Sequence, residues 1–151
     1  MIPIARPLLG EPEAAAAREV ILSGWVTQGP RVAAFESGFA RAVGARHACA
    51  VANGTAALHL ALECAGVGPG DVVITVSHSF VATANAVRYV GATPVFVDVE
   101  PETGNIDTAL VPAAITFKTK AILAAHQLGM PCDLPRLLAL AQEHHLHLIE
   151  D

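Results

Sequence analysis

The chain has 151 residues, enough for one domain with a real core, and is 53% hydrophobic but only 15% charged. A net charge of −5, with nine scattered Lys and Arg and no basic run, argues against a nucleic-acid or anionic-membrane surface. No apolar stretch approaches a membrane span and Met1–Pro7 does not read as a signal peptide. Three cysteines (Cys49, Cys64, Cys132) without metal or redox spacing suit a reducing cytoplasm.

Residues 1–10 read as an extended arm. A helix is predicted over Glu11–Ser23, with Pro12 tolerated in its first turn and Gly24 as its stop. Trp25 to Pro30 is then a loop. Its Trp25, Thr27 and Gln28 either line a site or serve a loop that Trp25 anchors on the core. A second, amphipathic helix is predicted from Arg31 to Val43, with Val32, Phe35, Phe39 and Val43 on one stripe and Gly44 beyond the end. Residues 1–45 are thus an N-terminal arm with helices, distinct from residues 46–151.

From Ala45 onward strands and helices alternate. Strands are predicted at His47–Ala52, Val72–Val76, Pro94–Asp98, Ala121–Ala125 and Leu146–Ile149. Helices lie between them at Thr55–Ala65, Val81–Tyr89, Thr108–Ile115 and Leu134–His145. In the last helix, Leu134, Leu137, Leu138, Ala141 and His145 share a face behind the N-cap Asp133. Strands that are continuous apolar runs belong to a sheet covered on both faces. The predicted fold is therefore α/β, a doubly wound, mainly parallel sheet with helices on both faces. The chain stops at Asp151 directly after an apolar strand, so it reads as the front part of a longer protein.

The stretch Val51 to Leu62 organises this region. An apolar run, Ala48 to Val51, ends at Asn53-Gly54, and from Thr55 the period becomes helical, with Gly66 at the C′ position. A helix opening on Asn-Gly-Thr leaves amide N–H groups and a dipole that favour a phosphate, and Gly54 lets a ligand approach the backbone. The alternative is an ordinary strand-to-helix turn with Thr55 as its cap. Ligands of such sheets sit beyond the carboxyl ends of the strands. That rule picks out Asn53, Gly54 and Thr55, then Ser77 to Phe80, then Asp98, His126 and Gln127, and finally Glu150 and Asp151.

The turn is not a P-loop, because no Lys-Ser or Lys-Thr follows the glycine. It also lacks the other glycines of the dinucleotide fingerprint. A single phosphate on a flat ring fits better, and pyridoxal 5'-phosphate needs a phosphate cradle, a stacking surface and a carboxylate against its pyridine nitrogen.

The sequence resembles the DegT/DnrJ/EryC1/StrS family of sugar aminotransferases, pyridoxal-phosphate enzymes of the aspartate-aminotransferase fold (fold type I). The resemblance rests on Ser23-Gly24-Trp25-Val26-Thr27-Gln28-Gly29-Pro30, Asn53-Gly54-Thr55-Ala56-Ala57-Leu58 and Ser79-Phe80-Val81-Ala82-Thr83-Ala84-Asn85-Ala86. It continues through Pro94-Val95-Phe96-Val97-Asp98, His126-Gln127-Leu128-Gly129 and Ile149-Glu150-Asp151. It implies that residues 46–151 are the first part of the cofactor-binding large domain. It also implies that Gly54 and Thr55 hold the cofactor phosphate, Phe80 stacks on the pyridine and Asp151 pairs with its nitrogen. Trp25 and Thr27 match a loop near the sugar pocket. Implied partners are an amino-acid donor, commonly glutamate, and a nucleotide-linked keto sugar; the implied assembly is a cytoplasmic homodimer with sites at the subunit interface.

The family's Schiff-base lysine is expected beyond Asp151, and no catalytic residue is assigned within this chain. Lys118 and Lys120, the only lysines, precede the fourth predicted strand and read as solvated groups. Without that lysine the fragment is expected to be inactive alone. Three other functions are open at this point: a sugar dehydratase of the same superfamily, in which the lysine is replaced; a truncated, non-catalytic chain that binds a phosphate ligand or pairs with a full-length subunit; and a generic nucleotide-binding α/β domain. No metal site is expected, since His144 and His145 are adjacent on a helix and point apart, and His147 falls in the next strand. His78 and His126 either contact cofactor or substrate or satisfy local backbone groups. Asp98 reads as the start of a turn with Glu100 and Pro101, and Asp107 as a helix cap.

Overall fold

The computed structural model describes residue 3 and residues 5–151; Met1, Ile2 and Ile4 of the anticipated arm lie outside the described residues. The chain divides into two compact units, residues 1–50 and 51–151.

The first unit carries helices α1 (Glu11–Ser23) and α2 (Pro30–Val43). Gly24 and Gly44 end them in left-handed conformation, as sequence predicts. Local devices hold this unit. The Gly10 amide donates to Glu13 Oε2 at 2.7 Å, and Arg31 pairs with Glu19 at 2.5 Å. The predicted α2 stripe exists, with the Phe35 and Phe39 rings 5.9 Å apart, but Phe35, Phe39 and Val43 are exposed and only Ala40 is buried.

The second unit runs α3 (Gly54–Cys64), β1 (Val72–Val76), α4 (Val81–Tyr89), β2 (Thr93–Val97), α5 (Val111–Ala114), β3 (Thr119–Ala124), α6 (Leu134–Glu143) and β4 (His147–Glu150). The four strands form one parallel sheet in the order β2-β1-β3-β4. Side chains alternate across it with the strand's period of two. Val73, Ala121 and Leu123 pack with Leu58, Leu62, Ala86 and Val87 of α3 and α4 on one face. Ile74, Val76, Ile122 and Ala124 pack with Leu137, Leu140 and Ala141 of α6 on the other. Each fully buried leucine contributes about 1.5–3 kcal/mol of transfer free energy, so the doubly covered sheet dominates this unit's stability.

Three expectations are corrected. No strand forms over residues 47–52: among the described residues no neighbour offers that stretch a ladder, and the Ala50 amide donates to Glu36 Oε1 instead. A strand without a paired neighbour has nothing to hold it extended. The helix expected over Thr108–Ile115 shrinks to Val111–Ala114, because Asp107 accepts from the Ala109 amide at 2.9 Å and makes a turn in place of a helix cap. On α6 the inward face is Leu137, Leu140 and Ala141, while Leu138 points outward.

Candidate active site at the carboxyl edge of the sheet

All four strands run parallel, so their carboxyl ends share one edge. α4 starts from that edge after β1. α3 feeds the amino end of β1 through residues 65–71, so its own first turn lies at the carboxyl edge. Both helices cover the same face. Along β4, Ile149 faces that helical layer, and Asp151, two residues on, projects to the same side. The fold thus brings the openings of α3 and α4 and the acid after β4 to one edge and one face.

At the start of α3 the cap is Asn53, not Thr55: Asn53 Oδ1 accepts from the Ala56 amide at 2.9 Å. Among the described residues the amides of Gly54 and Thr55 and the Thr55 hydroxyl have no partner. A Cβ built on Gly54 would meet nothing within 4 Å, so the backbone is open on that side. At the start of α4, Phe80 occupies the N-cap position and is 76% exposed. Beside it Val76, Ser77, Ser79, Thr83 and Phe96 line a recess of about 220 Å³.

Asp151 is held at three points. Its amide donates to Ala124 O at 2.8 Å, and its carbonyl accepts from the His126 amide at 3.0 Å, extending the β3–β4 ladder by one residue. Its carboxylate Oδ2 accepts from Thr83 Oγ1 at 2.5 Å. The other oxygen, Oδ1, has no hydrogen-bond partner among the described residues. Thr83 is 1% exposed, and its hydroxyl also meets Ser79 Oγ at 2.7 Å. Sequence reasoning missed Thr83. Its available signal was a hydroxyl on the otherwise apolar inner face of α4, between Ala82 and Ala86 and four residues after Ser79.

The remaining strand ends carry local hydrogen bonds. His126 Nδ1 accepts from the Cys132 amide at 3.1 Å, which puts the ring proton on Nε2, directed at Glu150 Oε2 at 2.9 Å. His78 Nδ1 faces Gly104 O at 3.3 Å, and its Nε2 meets Gln127 Nε2 at 3.1 Å. Gly104 sits at φ +71°, where a side chain is strained, and a Cβ there would press on the His78 ring. Buried Asn105 pins the loop after β3 by donating to Met130 O and Pro131 O and accepting from the Gln127 amide. Asp98 opens an excursion closed by an antiparallel bridge between Val99 and Ile106. Burial pushes the Cys132 thiol above its ordinary range, and its Sγ donates to Ala125 O at 3.2 Å. Lys118 and Lys120 are exposed, at the amino end of β3.

Trp25 and Thr27 belong to the first unit, where with Glu19, Ser23, Gln28 and Arg31 they line a cleft of about 580 Å³. Trp25 Nε1 donates to Gln28 O at 2.8 Å, and the indole lies over Gly29, where a Cβ would clash with the ring. Gly29 is extended at φ −173°, so contact with the indole, not backbone conformation, demands glycine. The ring therefore braces its own loop.

No helix among the described residues is long and apolar enough to cross a membrane, and among them no cluster of His, Cys, Asp and Glu could hold a metal ion. Chemically, the edge offers unpaired amides and a hydroxyl suited to an anion, an exposed aromatic face, and a carboxylate oxygen free to accept from a ring N–H.

The chain is 47% identical over 150 residues to the spore coat polysaccharide biosynthesis protein SpsC of Bacillus subtilis (strain 168), covering 99% of this chain and 39% of SpsC. NtdA from Bacillus subtilis, solved with bound cofactor PMP, superposes with a TM-score of 0.88 at 36% identity, over 91% of this chain and 32% of NtdA. DesI, solved in the presence of its TDP-sugar product, superposes with a TM-score of 0.83 at 40% identity, over 91% of this chain and 35% of DesI. The chain thus spans about a third of the length of these proteins, and its parallel sheet with helices is that of fold type I pyridoxal-phosphate-dependent aminotransferases. The model of the DegT/DnrJ/EryC1/StrS aminotransferase family matches residues 7–151, and the chain belongs to that family.

Proposed function

We propose that this chain is the cofactor-gripping part of an aminotransferase that moves an amino group from an amino acid, with glutamate the expected donor, to a nucleotide-linked keto sugar. The observation that carries the reading is the free Oδ1 of Asp151, on the same edge and face of the sheet as the unpaired amides of Gly54 and Thr55. That donor set fits pyridoxal 5'-phosphate. The Gly54 and Thr55 amides bind its phosphate, helped by the helix dipole. The Phe80 ring covers one face of the pyridine, and Asp151 keeps the ring nitrogen protonated. When bound, the cofactor supplies an electron sink for carbanion chemistry at the amine-bearing carbon.

The chain's own residues bind and orient; the lysine that makes the Schiff base and moves the proton is expected beyond Asp151. Trp25 and Thr27 are assigned to the sugar pocket, and the whole protein to a cytoplasmic homodimer. The nucleotide-sugar assignment draws support from family membership and from DesI. The test uses the full-length protein, pyridoxal phosphate, glutamate and a TDP-linked keto sugar. Release of 2-oxoglutarate matched by amino sugar supports the proposal. Cofactor binding with sugar dehydration and no amine transfer would assign a dehydratase instead. Absence of cofactor binding overturns the reading.

A further inference from the structure

We propose that Thr83, completed by Ser79, is the positioning residue that aims the Asp151 carboxylate at the cofactor's ring nitrogen; this rests on the assignment of Asp151 above. Thr83 has one hydroxyl proton, and Asp151, after the last ladder bond, has a carboxylate that accepts it at 2.5 Å. The Ser79 contact at 2.7 Å therefore runs the other way, with Ser79 donating to the Thr83 lone pair. The result is a directed chain, from Ser79 Oγ through Thr83 Oγ1 to Asp151 Oδ2.

Three features make this chain a positioning device. Thr83 is buried and is the third residue of α4, so its Oγ1 has a fixed origin. The Asp151 backbone is clamped to β3 on both sides of the residue, so only the side-chain torsions remain to be set. Committing Oδ2 to Thr83 sets those torsions and leaves Oδ1 as the one outward acceptor. Preorganised acceptors bind a ligand donor without further ordering cost. Ser79 and Thr83 flank Phe80 in sequence, so the segment that presents the stacking ring also orients the acid.

The experiment uses the full-length protein reconstituted with pyridoxal phosphate labelled with ¹⁵N in the ring. Its readouts are the ring-nitrogen chemical shift, cofactor affinity and thermal melting of the cofactor-free form. Thr83→Val keeps the shape and removes the donor; it is expected to weaken cofactor binding roughly tenfold, the scale of one hydrogen bond to a charged group, and to move the nitrogen shift toward the unprotonated value. Thr83→Ser restores the hydroxyl and both readouts. Ser79→Ala gives a smaller change in the same direction. A folded Thr83→Val protein with unchanged shift and affinity overturns the proposal. So does a Ser79→Ala protein identical to the parent should Thr83→Val fail to fold. Asp151→Asn separates the two levels: if it leaves the nitrogen shift untouched, the assignment of Asp151 itself falls, whereas a shift in Asp151→Asn alone retains that assignment and removes the role of Thr83.

Discussion

The two units of this chain are stabilised by different means. In residues 51–151 the strands are sandwiched between helical layers, and Val73, Ile74, Ala121, Ile122, Leu123 and Leu137 are wholly buried. In residues 1–50, α1 has no buried residue and α2 has one. Its order comes from caps, one ion pair and an indole resting on a glycine. Packing resists perturbation collectively; local devices fail one at a time.

Breaking this contrast starts in the sheet. Leu123→Ala is expected to cost about 2–5 kcal/mol, because a wholly buried leucine between two helices leaves a cavity. Phe35→Ala, at an exposed ring, should stay within about 0.5 kcal/mol by urea denaturation of the same 151-residue chain. Equal losses at both positions would erase the distinction.

Next in size is Gly29→Ala. The new Cβ expels the Trp25 ring and breaks its bond to Gln28 O, a loss of about 1 kcal/mol confined to the first unit. Since Trp25 is the only tryptophan, its fluorescence reports the displacement directly. An unchanged emission spectrum would show that the loop does not depend on this contact.

Asn53→Ala tests a local device inside the packed unit. Loss of the cap on the Ala56 amide is expected to cost about 1 kcal/mol, and Thr55→Ala much less, measured as paired melting curves. The reverse ranking would return the cap to Thr55.

The smallest effect is a pH dependence. The Gly10 amide holds the Glu13 carboxyl below its ordinary range. A depressed acid stabilises the fold above its unfolded pKa, and the benefit disappears as pH falls through the folded value. The first turn of α1 should therefore fray below about pH 4.5, seen as faster amide exchange at Gly10, and Glu13→Gln should flatten that dependence. A parent chain without it would show the cap to be idle.

Legibility in the sequence did not follow that divide. Helices with strong periodicity and a terminal glycine, such as Glu11–Ser23, are found where they are predicted. β1 is found over the predicted residues, and β2, β3 and β4 shift by one or two, because uninterrupted apolar runs need a two-sided cover. Residues 47–52 looked the same locally, but a strand depends on a neighbour that composition cannot supply. Thr108–Leu110 was lost for the opposite reason: the Asp107 side chain captured a backbone amide before a helix could start. At the candidate site, the edge rule gathered Gly54, Thr55, Phe80 and Asp151 without coordinates. It could not find Thr83, whose importance comes from a contact 68 residues away in the chain.

Asp151 is also a rung of the sheet, bonded through its main chain to Ala124 and His126. Any cation or protonated ring that grips its side chain is therefore tethered to the central strand, not to a loop. Occupancy at that carboxylate would therefore stabilise the pairing of β3 with β4, and heat that unzips those strands would release the guest in the same event.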